Sequence, residues 1–182
     1  GRTTELSLGN GAEAPATVSL PLGALALTEA HMRRDPPAPA ELAAAAAAVV
    51  ALLATTDLPA RAHAARAVVV ASGGTATAPA ALDLGLATYA PRRVHGHVLS
   101  RPALRQHRER LAAMPLAARA ALPALDAGRA AILPAGALVL EHVAAAAGAS
   151  GIQVSDHGVR HAYLAERLAG FGVVPDLRGL WG

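Results

Sequence analysis

The sequence predicts an α/β domain built on a mixed sheet flanked by helices. Three observations carry that expectation. A hairpin-like pair of segments opens the chain. Strand-like and helix-like segments then alternate. The chain has 182 residues, 53% of them hydrophobic, enough for one real core. Aromatics are only 2%, so that core must be made of Ala, Leu and Val.

Residues 3–8 (TTELSL) and 16–27 (ATVSLPLGALAL) read as extended, with GNGAEAP between them as a turn, which predicts the hairpin. The proline-rich stretch RRDPPAPA, 33–40, breaks the pattern, and a helix follows to about Thr55. Within it the uncharged run 42–56, bracketed by Glu41 and Asp57, falls short of the roughly 20 residues of a membrane span. It suits a buried or half-buried helix. Residues 66–71 predict a strand, because Val68, Val69 and Val70 are β-branched. Ser72, Gly73, Gly74 and Thr75 predict a tight turn, and 75–84 a helix.

Residues 93–100 read as a short extended stretch, and Ser100 can cap a helix over 101–113. MPLAARAAL adds one or two helical turns. Arg129 to Ala147 is helical with a kink or a late start at Pro134. Residues 151–155 predict a last strand and 158–169 a last helix, with a loose tail over 170–182.

Charge and chemistry narrow the function. No cysteine is present, which excludes disulfides and thiolate chemistry and fits a reducing compartment. All 16 residues counted as Lys or Arg are Arg, as a GC-rich codon set gives. A net charge of +3 is too small to argue for nucleic acid. No signal-peptide pattern opens the chain, and its start at Gly1 suggests a fragment.

Gly73 and Gly74 sit where a strand hands over to a helix. Bare backbone there serves either a plain turn or a phosphate held by helix N-terminal N–H groups. Histidines 95 and 97, and 157 and 161, have spacings that could bind a metal. No carboxylate or cysteine cluster completes either pair, so surface or turn positions are expected. Ser155, Asp156 and His157 are adjacent and cannot relay a proton as a triad does; a helix cap is expected. Arg101, Arg105 and Arg108 share a helical face. A solvated face is expected there rather than a route for an anionic chain.

Several stretches, in order, resemble the Ppx/GppA phosphatases, which include exopolyphosphatase and guanosine pentaphosphate phosphohydrolase. ASGGTATAPAALDLGL resembles the family's glycine-rich strand–turn–helix, and VSLPLGALALTE its strand after the first phosphate loop. RRVHGHVLSRPAL and GRAAILPAGALVLEHV are similar to its helical insertion, about 101–147, and VSDHGVRHAYL to its closing strand and turn. The opening GRTTEL is similar to the end of a loop of the form Asp-x-Gly-Gly-Gly-Ser-Thr-Glu. Gly1 falls on a glycine, Thr3 on the serine and Glu5 on the glutamate, while Arg2 replaces a glycine.

The resemblance implies a ribonuclease H-like lobe of the actin, sugar-kinase and Hsp70 class. It places residues 1–169 as the C-terminal lobe of a two-lobe module whose N-terminal lobe is missing. It implies hydrolysis of terminal phosphate from inorganic polyphosphate or guanosine pentaphosphate, with Mg²⁺ as cofactor. Glu5 would be catalytic and hold metal or water; Gly1, Thr3, Gly73, Gly74 and Thr75 would bind phosphate. The fragment alone is expected to be inactive. A cytoplasmic protein is implied, with neither DNA nor a membrane as partner.

The implied strand order is 3-2-1-4-5, with the first strand upstream of Gly1. That leaves a gap between the hairpin and the strand near 66–71, which a shifted hairpin or a homodimer would close. The alternative is a non-catalytic phosphate- or nucleotide-binding relative. Arg2, Ala131 in place of Asp, and His161–Ala162 in place of Glu–Gly lean that way. A dinucleotide-binding domain is disfavoured, because GGTAT lacks the G-x-G-x-x-G spacing.

Overall fold

Strands β1 (Thr4–Leu8) and β2 (Ala16–Leu20) pair antiparallel, from Thr4 opposite Leu20 to Leu8 opposite Ala16. Alternation sends Leu6, Val18 and Leu20 inward. Glu5, Ser7, Thr17 and Ser19 take the other face, where Ser7 and Thr17 share a 2.9 Å hydrogen bond. The computed structural model describes residues 1–10 and 13–171. From residue 172 the expected tail lies outside the described residues.

Helix α1 (Ala24–His31) occupies part of a segment expected to be extended. Only 16–20 of the predicted strand 16–27 is a strand. After Pro21 the chain turns, and Leu22 and Leu27 are buried against α2 (Pro39–Leu53). Burial of two leucines outweighs the weak extended pattern. Helix α2 is half-buried as expected, through Ala45, Val49 and Leu53. Glu41 at its third position accepts from the Ala38 N–H at 2.8 Å.

A short helix not anticipated from the sequence, α3 (Leu58–Ala64), follows. Its exit turn, with Arg66 at φ 50°, delays the next strand. Strand β3 is therefore Val70–Ser72 rather than 66–71. Helix α4 (Gly74–Asp83) follows at once. The expected stretch 93–100 splits into α5 (Pro91–Val94) and β4 (Val98–Ser100), because Pro91 starts a helical turn and Gly96, at φ 82°, ends it. Ser100 caps α6 (Arg101–Ala113) as expected, its hydroxyl accepting from the Ala103 N–H at 3.2 Å.

Helix α7 (Leu116–Ala120) and a 3₁₀ turn (Ala127–Arg129) lead to α8 (Leu133–Ala146), which starts late with Pro134 in its first turn. Strand β5 (Gly151–Ser155) and helix α9 (Val159–Ala169) close the described chain. No described helix is long and apolar enough to cross a membrane; α2 and α3 reach that length only together and are bent by 77°.

Two sheets result among the described residues. The hairpin stands alone, and β3–β5–β4 forms a mixed sheet, β3 parallel and β4 antiparallel to β5. Each has its own core. One gathers Leu20, Leu22, Leu27, Val49 and Leu53; the other Ala76, Val94, Leu99, Leu104 and Ile152. Helix α8 serves both, giving Ala135, Leu138 and Val139 to the first and Ala144 to the second. A groove of about 130 Å³ separates the sheets, lined by Glu5–Leu8 on one side and Val68–Val70 on the other.

Candidate functional site

Strand β3 ends at Ser72, and Gly73 takes φ 93°, a conformation open to glycine at little cost. Its carbonyl caps α4, accepting from the Ala76 and Thr77 N–H groups at 2.9 and 3.0 Å. The first N–H groups of a helix have no partner within it, so those of Gly74 and Thr75 face the space beyond the turn. Arg129 comes from the 3₁₀ turn to lie over Gly74. A Cβ there would sit 1.9 Å from its Nη1. Gly136 on α8 is bare for a similar reason: a Cβ would meet the Thr75 Cγ2 methyl at 2.5 Å.

Two adjoining hollows share these groups. The larger, about 610 Å³, is lined by Gly73, Gly74, Tyr89, Arg129, Asp156 and Arg160, among others. The smaller, about 220 Å³, is lined by Gly1, Gly74, Thr75 and Arg129 with Ile132 and Leu133. Gly1 reaches it because the opening segment packs on Gly23, and the Gly1 carbonyl accepts from the Leu25 N–H at 3.0 Å. A helix N-terminus, a guanidinium and bare backbone are groups whose chemistry can hold an anion.

The walls are charged in both senses. Asp126 lies 3.3 Å from Arg129 and partly neutralises it. Tyr89 donates its hydroxyl to Asp156. Burial, then that bond to a carboxylate, pushes the Tyr89 phenol up to about 12.

The expected site residues are thus divided. Gly1, Gly73, Gly74 and Thr75 come together. Thr3 is exposed and lines neither hollow. Glu5 lies on β1, accepts from Ser19 Oγ at 3.1 Å, and lines the groove between the two sheets instead. Arg2, standing where a glycine was expected, is held by Glu29 of α1 at 2.9 Å.

Arg129, Tyr89, Asp156 and Arg160 were not anticipated. The stretch 128–143 carried Arg129 in plain view, but only the fold brings it over Gly74.

Other expectations need correction. Arg105 stays exposed as expected while bonding Glu141 of α8 at 3.1 Å, but Arg108 is largely covered and bonds the same carboxylate at 2.6 Å. Burial would raise the Glu141 carboxyl, but the two arginines outweigh it and hold the group below its ordinary range. His97 and the buried His107 both bond Asp83, at 2.7 and 3.0 Å. Burial pushes the Asp83 carboxyl up, and these two bonds more than offset that. Ser155 caps no helix. Its hydroxyl accepts from the His157 N–H at 3.1 Å and donates to the His157 carbonyl at 3.0 Å, closing a turn, while Gly158 precedes α9.

A sequence profile described as the Ppx/GppA phosphatase family matches residues 1–170. The chain belongs to that family. Solved structures agree. A PPX-GPPA enzyme from Aquifex aeolicus superposes with a TM-score of 0.81 at 26% identity, over 90% of this chain and 53% of that one. An exopolyphosphatase-like protein gives 0.80 at 28% identity, over 92% and 58%. An exopolyphosphatase from Cytophaga hutchinsonii gives 0.77 at 20% identity, over 93% and 55%, which speaks to the fold alone. The curated proteins compared gave no match. The fold is therefore the actin-like, ribonuclease H-like α/β fold of the family, and this chain spans a little over half the length of those solved relatives.

Proposed function

We propose that this chain is the phosphate-holding half of a phosphoanhydride hydrolase that removes terminal phosphate from inorganic polyphosphate or guanosine pentaphosphate. The observation that carries the reading is the convergence of the Gly73–Gly74–Thr75 turn, the α4 N-terminus and Arg129 on one hollow. Those groups would take the negative charge of the terminal phosphate and of the bridging oxygen that leaves. Water supplies the new oxygen on the terminal phosphorus. The P–O bond to the bridging oxygen breaks, and the shortened chain departs with it. The water's proton needs a carboxylate, a role proposed for Glu5 within the whole module.

Mg²⁺ takes few carboxylates and fills its shell with phosphate oxygens and water. Glu5 offers it one carboxylate. Among the described residues no group of three or more His, Cys, Asp or Glu is arranged to hold a metal. The described residues do not make a metal site by themselves.

The separation of Glu5 from the hollow favours a second reading as well, a relative that binds phosphate without turning it over. The test has two arms. Isothermal titration with tripolyphosphate should show binding that Arg129→Ala weakens about tenfold, the scale of a lost charge-assisted contact. Equal affinity in the variant would defeat the site assignment. Phosphate release assayed with Mg²⁺ should be absent for the 182-residue chain, since a cleft enzyme needs both walls to place its water. Release that Glu5→Ala abolishes would show the chain to be active alone.

A further inference from the structure

Beside the larger hollow three imidazoles form a pile. The rings of His95 and His157 are stacked, centroids 4.1 Å apart and planes 28° apart. His161 follows, 5.0 Å from His157 and tilted by 36°. They come from three places: the end of α5, the turn after β5, and the first turn of α9. Rings stacked in this way cannot aim their in-plane lone pairs at one point, so a shared metal does not explain the pile.

The hydrogen bonds suggest another role. His95 Nδ1 accepts from the Asp156 N–H at 3.3 Å, and His161 Nδ1 accepts from the Gly158 N–H at 2.8 Å. An imidazole that accepts at Nδ1 is neutral, with its proton on Nε2. Two neutral rings thus hold the backbone of one four-residue turn, Ser155–Gly158, from either side, with His157 between them. That turn carries Asp156, which accepts from Tyr89, and both residues line the hollow.

We propose that His95, His157 and His161 are positioning residues that hold the Asp156–Tyr89 wall in place only while their rings are neutral, so that acid loosens anion binding in the hollow. The binding half of this rests on the reading of that hollow as a phosphate site; the positional half does not. A proton on either Nδ1 displaces a backbone N–H, and two charged rings at stacking distance repel. Burial, then His95 and His161, lowers the His157 value, and Asp156 opposes them. Arg160 on α9 and Arg92 and Arg93 on α5 add positive charge to the elements that carry the stack. The sign distinguishes the idea from simple attraction, in which extra positive charge on acidification would tighten an anion.

The first test needs no ligand. In NMR titrations of the 182-residue chain from about pH 8 to about pH 5, the ordinary histidine range, the Asp156 and Gly158 amide signals should move together with the three imidazole signals. Unmoved amides while the rings take up protons would overturn the proposal. The second test measures tripolyphosphate affinity at both ends of that range. His157→Phe keeps a stacked ring that cannot charge. The loss of affinity on acidification should be at least about threefold larger for the natural chain than for this variant, because only the neutral fraction is competent. An equal or smaller loss in the natural chain would overturn the proposal. If tripolyphosphate binds at neither pH while the amides respond, the phosphate reading falls and the positioning role of the stack is upheld.

Discussion

The guanidinium of Arg129 occupies the space that a side chain on Gly74 would need, Nη1 lying 1.9 Å from the Cβ position. Gly74 is thus kept bare by a flexible neighbour rather than by backbone. Gly74→Ala should displace Arg129 at a folding cost within about 1 kcal/mol. Tripolyphosphate affinity should nonetheless fall about as far as in Arg129→Ala. Gly73→Ala differs: its φ of 93° charges a side chain about 1 kcal/mol or more in stability. Thermal melts and titration calorimetry on the three variants separate the two effects.

Gly136 faces a harder neighbour. A Cβ there meets the Thr75 methyl at 2.5 Å across the α4–α8 contact. Gly136→Ala should cost about 1–3 kcal/mol by overpacking and lower the melting temperature by several degrees. Thr75→Ser removes that methyl, so the double variant should melt closer to the natural chain. A Gly136→Ala melt equal to the natural one would show that the two helices can part without loss.

Glu141 holds Arg105 and Arg108 to α8 and has a lowered carboxyl value. A depressed value contributes stability above the ordinary carboxylate range, lost as pH falls through the folded value. Glu141→Gln should therefore destabilise by about 1.5–3 kcal/mol at neutral pH. The gap from the natural chain should close as the pH drops below about 4.5. Urea midpoints across that range check it.

The Tyr89 phenol, raised to about 12, follows the opposite rule. A raised value contributes stability that is complete below the ordinary tyrosine value of about 10 and is lost as pH rises through the folded value. Phenolate absorbance should show Tyr89 ionising near that high value, with Tyr163→Phe used to assign it. Asp156→Asn should bring the midpoint down, since the carboxylate that disfavours the phenolate is gone. An unchanged midpoint would leave burial as the whole cause.

The groove between β1 and β3 leaves two strand edges unpaired among the described residues. Buried backbone groups without partners cost about 1–3 kcal/mol each. A chain extended by about ten strand-forming residues ahead of Gly1 should melt several degrees higher, if the extension pairs into that groove. Equal, cooperative and concentration-independent melts of the two chains would speak against the gap and against pairing of copies through these edges.

Much of the fold was legible where a local rule decides it. Ser100 announced α6, the prolines before Glu41 announced α2, and the alternation over residues 3–8 announced β1. The segment 20–27 misled, because its leucines read as a continued strand, while Leu20 closes β2, Leu22 is buried in the turn and Leu27 reaches the core from α1. Helix α3 carries too short a pattern to read. The site divided in the same way. Gly73, Gly74 and Thr75 are neighbours in sequence and stood out together. Arg129, Tyr89, Asp156 and Arg160 meet them only through the packing of α4, α8 and the turn after β5, which no spacing records.

Among the described residues the hairpin and the three-stranded sheet share no ladder, and α8 is the one element that places side chains in both cores. That helix acts as the axle of the molecule. Its Gly136 faces Thr75 at the α4 N-terminus, while Leu138, two residues on, packs in the hairpin-side core, so one rigid element bears contacts of both halves at once.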